Sequence, residues 1–93
     1  MKNNLNYLKN NLNLCGYTLL RVNNNKILIF KSLYKYTKCI YVSYFDTSIE
    51  VKIDKVFDTE VYPEYIERLM ITKKCFDSIY DSLGYIQKSI AIY

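Results

Sequence analysis

A chain of 93 residues, 51% apolar and 24% charged, makes one globular domain and is too rich in core-forming side chains to be disordered. It has no histidine, two glycines and three widely spaced cysteines, which excludes a glycine-rich phosphate loop, the usual Cys–His nucleophile and a paired-cysteine zinc site. The net charge of +4 hides a split: residues 1–45 carry Lys2, Lys9, Arg21, Lys26, Lys31, Lys35 and Lys38 and no acid, whereas residues 46–93 carry six basic and nine acidic groups.

Leu5, Leu8, Leu12 and Cys15 are spaced three, four and three apart, which gives one apolar face of a short helix. Asn3, Asn4, Asn6, Asn10, Asn11 and Asn13 fill most of the remainder. Asparagine is a poor helix former, so packing rather than propensity has to hold this element. Gly16 stands where a helix would end in the left-handed conformation.

The period then changes to two. TLLRV (18–22) and KILIF (26–30) are β-prone runs on either side of Asn23-Asn24-Asn25, which the tolerance of Asn for positive φ marks as a hairpin turn. From Lys38 to Phe45, Lys38, Ile40, Val42 and Tyr44 alternate with Cys39, Tyr41, Ser43 and Phe45. Both faces are apolar enough to predict a central strand, partly covered on each side. After a turn at Asp46-Thr47-Ser48, Ile49, Val51 and Ile53 alternate with Glu50, Lys52 and Asp54, one dry face and one wet.

Residues 55–62 read as a loop, and Pro63 suits the first turn of a helix with Glu64 and Glu67 near its positive end. Tyr65, Leu69, Thr72, Phe76, Ile79, Leu83, Ile86 and Ile90 then alternate spacings of four and three. One helix over 63–90 would run ~42 Å. That outruns a four-stranded sheet ~15 Å across, so a break near Thr72 or Gly84 is expected. The fold class is α+β: a single domain over 1–93, ordered α-β-β-β-β-α, with a four-stranded antiparallel sheet and the N- and C-terminal helices packed on one face.

Catalytic motifs fail on inspection. Glu50-Val51-Lys52 is half of the PD-(D/E)xK nuclease signature, but no acid precedes Asp46 to complete a metal pair, so the wet face of an edge strand explains it. Glu64/Glu67 and Asp77/Asp81 share helical faces and read as solvated pairs. Cys15, Cys39 and Cys75 read as reduced core thiols. Nothing resembles a signal peptide or a membrane span, so the expectation is a non-enzymatic cytoplasmic protein with no cofactor and no metal.

The charge split is the strongest functional signal. Lysines reach phosphates, and exposed rings stack on bases, so a basic half with interleaved tyrosines suits a polyanion. Arg21, Lys26, Lys31, Tyr34, Lys35, Tyr36 and Lys38 are the candidate contacts to nucleic acid, a nucleoprotein or an acidic protein surface. Tyr34, Lys35 and Tyr36 are expected at a hairpin tip. Tyr41 and Tyr44 are expected in the core. The alternative is a homo-oligomeric module, a homodimer in the simplest case, using the C-terminal stripe with Ile86, Ile90 and Tyr93 as contacts.

Phe, Tyr, Met, Ile, Asn and Lys total 48 residues against 6 for Gly, Ala, Arg and Pro, the signature of an AT-rich genome, which fits a low-GC bacterium and, preferred in this reading, its phage or a mobile element. An anti-CRISPR-like inhibitor that occupies a host or defence nucleoprotein fits that origin. Two local patterns resemble known families. Thr72-Lys73-Lys74 before Cys75-Phe76 resembles the basic second-helix start of the double-stranded-RNA-binding domain, without that domain's preceding glycines. Cys15-Gly16-Tyr17 and the run from Arg21 to Phe30 resemble the small HicA-type RNase toxins, whose histidine has no counterpart here. Neither pattern spans enough of the chain to assign a family.

Overall fold

The computed structural model describes residues 3–46, 48–57 and 73–92. Among them, α1 (Asn3–Asn11), β1 (Thr18–Asn23), β2 (Lys26–Ser32), β3 (Tyr36–Tyr44), β4 (Ile49–Phe57), β5 (Lys73–Phe76) and α2 (Ile79–Ala91) follow in chain order. The strands form one antiparallel sheet in the order β1-β2-β3-β4-β5. The α+β class stands; the sheet has five strands rather than four.

The extra strand lies within the apolar stripe expected to be helical. Lys73, Lys74, Cys75 and Phe76 pair with Lys52, Val51, Glu50 and Ile49. Pairing with a strand that already offers a dry face outweighs a stripe whose only link here is Phe76. β4 is therefore interior, not an edge. Lys73 and Lys74 lie on a strand, so they do not start a helix as in the double-stranded-RNA-binding domain. Tyr65, Leu69, Thr72 and the helix start at Pro63 lie outside the described residues.

α2 begins afresh at Ser78, whose side chain accepts a hydrogen bond from the Tyr80 backbone N–H at 3.2 Å. It runs through Gly84 without a break. Ile86 and Ile90 are fully buried against Leu5 and Leu8 of α1 and Ile27, Ile29, Ile40, Val42, Ile49 and Val51 of the sheet. This burial overturns the oligomer role given to Ile86 and Ile90, because their side chains are consumed inside the protomer. Tyr93 lies outside the described residues.

α1 is shorter than the leucine spacing implies, as its asparagine content would favour. The tail beyond it is held from outside: Gln87 Oε1 accepts from the Asn13 N–H at 2.8 Å, and Gln87 Nε2 donates to the Asn13 carbonyl at 2.9 Å. The chain then reverses through Cys15 (φ 49°) and Gly16 (φ 91°).

The asparagine hairpin forms, but none of its three asparagines takes a positive φ. Instead the register shifts between Arg21 and Asn23, and Asn23 Oδ1 accepts from the Asn25 N–H at 3.0 Å. The Arg21 guanidinium closes the turn by donating to the Asn23 and Asn24 carbonyls and to Asn6 Oδ1.

β3 is central and covered on both sides, as its two apolar faces require. Away from the helices, Leu28, Cys39, Tyr41 and Val56 form a second buried cluster. Only Cys39 is a core thiol; Cys15 and Cys75 are exposed. Burial and then the Asp54 charge push the Cys39 thiol up to about 11. No helix among the described residues is long and apolar enough to cross a membrane.

Candidate nucleic-acid interface

Hairpin geometry divides the predicted basic surface between two ends of the sheet. Arg21 and Lys26 flank the β1–β2 turn, whereas Lys31, Tyr34, Lys35, Tyr36 and Lys38 gather at the β2–β3 turn. Five residues of extended strand separate Lys26 from Lys31, ~17 Å. Arg21 is engaged in closing its own turn. The first group therefore does not share a site with the second.

At the second end the register builds two rows on the helix-covered side. Lys31 stands opposite Lys38 and Lys38 opposite Lys55, placing three lysines across β2, β3 and β4. The next row outward pairs Tyr36 with Phe57, their ring centroids 5.8 Å apart and tilted by 33°. Tyr34-Lys35 forms a two-residue tip, closed by the Leu33 N–H donating to the Tyr36 carbonyl at 2.6 Å.

Tyr34 is 85% exposed, Phe57 61% and Tyr36 41%. The Lys35 ammonium lies 5.3 Å from the Tyr34 ring centre and that of Lys55 5.9 Å from Tyr36. Neither lysine has a carboxylate partner among the described residues. Lys35 holds φ at 67°, where a side chain costs about 1–2 kcal/mol and a glycine would fit without strain.

Lys38 does not belong to this surface, contrary to the sequence expectation. It is buried, and its ammonium donates to the Ser89 and Ile92 carbonyls at the C-terminal end of α2. A helix ends in carbonyls with no partner of their own and a partial negative charge, so a cation from the sheet satisfies both needs. Burial, and then the neighbouring Lys55 charge, lower its pKa below the ordinary lysine value.

Lys31 lies over buried Tyr17, 5.6 Å from the ring centre, on the margin of the site. The Tyr17 hydroxyl is buried without a hydrogen-bond partner among the described residues. Its pKa is raised by desolvation, which the Lys31 charge opposes.

Lys55 and Phe57 extend β4 past Asp54, where the sequence pattern alone ends the strand. The signal was present in phase: Lys55 and Phe57 continue the alternation of Ile49, Val51 and Ile53, but a lysine interrupts its apolar character.

Other chemistry has less support. Glu50 is paired with Lys52 (3.7 Å) and Lys73 (3.6 Å), the ion pairs of a partly wet face. A surface cavity of about 350 Å³ at the opposite end includes Asp46, Asp77, Ser78 and Tyr80 in its lining, with no nucleophile–base pair. Among the described residues, no group of three or more Cys, Asp or Glu is arranged to hold a metal ion.

Comparison with protein-family models, with curated proteins and with solved structures returns no match. The site's meaning therefore rests on its own chemistry.

Proposed function

We propose that the protein is a small non-catalytic binding protein that docks on nucleic acid, alone or within a nucleoprotein, through the end of the sheet bearing Lys31, Lys35, Lys55, Tyr34, Tyr36 and Phe57. The observation carrying this reading is the interleaving of lysines with exposed rings at that end. Ammonium groups supply phosphate attraction without sequence preference, and the rings supply apolar contact area that water covers poorly. It acts by occupying a site.

In the same reading the chain belongs to a phage or mobile element, an origin its AT-rich composition fits, and works in the host cytoplasm. Occupation of a host or defence nucleoprotein's nucleic-acid face would inhibit it in the manner of an anti-CRISPR protein. The test is the salt dependence of binding to labelled RNA and DNA by the native chain and by Lys35→Gln/Lys55→Gln. Two lost phosphate contacts flatten the log–log slope by about 1.4 on a single strand or 1.8 on duplex DNA. An unchanged affinity and slope would remove this surface from the function.

A further inference from the structure

We infer that the occupant of this surface is an unpaired strand, with a base seated against the Phe57 ring and the flanking phosphates held by Lys35 and Lys55. This rests on the nucleic-acid reading above and adds to it the class of nucleic acid. Bases in a duplex are already stacked on one another, so their faces are not offered to a protein. A duplex reader using a two-stranded ribbon needs donors and acceptors for base edges, chiefly the bidentate Arg, Asn and Gln, with Lys, Ser and Thr as single-point readers. The ribbon end from Lys31 to Lys38 has no Arg, Asn or Gln, and its Thr37 and Lys38 are buried. It presents Tyr34, Lys35 and Tyr36 instead.

The rings have the properties of a stacking platform. Tyr36 and Phe57 are directly opposite on adjacent strands, so the ladder fixes their spacing before any ligand arrives. Phe57 has no polar atom to solvate, yet 61% of it is exposed. Lys55 lies beside Tyr36, leaving Phe57 as the more open ring of the pair. An acidic peptide would satisfy the lysines and leave these rings wet. A single strand satisfies both, because every base has an apolar π-face and every link a phosphate.

The experiment measures fluorescence anisotropy of a short labelled RNA without self-complementarity and of the same RNA annealed to its complement. Heparin and polyglutamate serve as competitors. The native chain is expected to bind the single strand about tenfold or more tightly than the duplex. Phe57→Ala should weaken single-strand binding roughly 5- to 160-fold, the range of one lost stacking contact. It should leave the affinity for heparin itself unchanged, and Phe57→Trp should retain binding.

Lys35→Gln/Lys55→Gln should weaken RNA and heparin binding alike. If duplex binds as tightly as single strand and Phe57→Ala has no effect while the lysine variant does, the strand preference falls and the nucleic-acid reading survives. If neither RNA form binds while directly labelled polyglutamate does, both fall.

Discussion

Replacing Lys38 by methionine keeps most of the side-chain length and removes the ammonium, separating a helix-capping lysine from a phosphate-binding one. The structure gives it two hydrogen bonds, to the Ser89 and Ile92 carbonyls. A charged donor contributes about 1.5–3 kcal/mol per bond, and a cation at a helix C-terminus about 0.3–1 kcal/mol more. Against that stand the desolvation of a buried ammonium and its proximity to Lys55, the two causes that lower its pKa. The opposing contributions leave a net loss of about 2 kcal/mol.

A domain of this size has only about 5–14 kcal/mol of stability, so that loss is a large share. It should lower Tm by about 8–16 °C. Urea and thermal denaturation followed by circular dichroism measure it, alongside RNA affinity below the transition. The expected result is a clear loss of stability with affinity unchanged. Native stability combined with lost RNA binding would refute the capping argument and return Lys38 to the interface.

Ile86→Ala should cost about 2–5 kcal/mol, with a midpoint that does not move with protein concentration; a concentration-dependent midpoint would restore the oligomer role of the stripe. Tyr17→Phe removes a buried hydroxyl that has no partner among the described residues and should stabilise the fold by about 1 kcal/mol, read by urea titration; a loss of similar size would mean that the hydroxyl is bonded. The Cys39 thiol, ordinarily at 9.0 and raised to about 11 on folding, keeps a proton in the folded state that the unfolded state has lost. Stability should therefore fall as pH rises from about 9 to about 11, and Cys39→Ala should remove that part of the slope. Lys38, whose pKa is lowered, contributes with the opposite sign, gaining stability as pH rises through its folded value. It is present in both proteins and drops out of the difference.

Where local pattern and tertiary environment agree, the architecture was legible. Ile49, Val51 and Ile53 alternate because one face of β4 meets the helices, and both faces of β3 are apolar because both are covered. A helix over 63–90 would outrun a narrow sheet, and among the described residues the stripe does not continue as one: Lys73–Phe76 is a strand and α2 starts after Ser78, not at the Gly84 where a break is expected. β5 was not legible, since four residues with two adjacent lysines carry no strand pattern of their own and pair only because β4 is there.

The interface was half legible for a related reason. Counting charge identifies lysines but cannot tell one that faces water from one that meets a helix end. Lys35 and Lys38 have equal standing in the sequence and opposite fates in the fold. Phe57 becomes a candidate only once the register sets it beside Tyr36.

The amide clasp between Gln87 and Asn13 spans 74 positions of the chain. Its consequence concerns time rather than strength. A nine-residue helix rich in asparagine is too short and too weak to persist alone, so α1 gains its helical form only with partners to pack on. One of those partners is α2, synthesised several seconds later at ribosomal speed. During synthesis α1 is therefore expected to complete its packing only once α2 has emerged. The first helix in the sequence is among the last parts of the molecule to form.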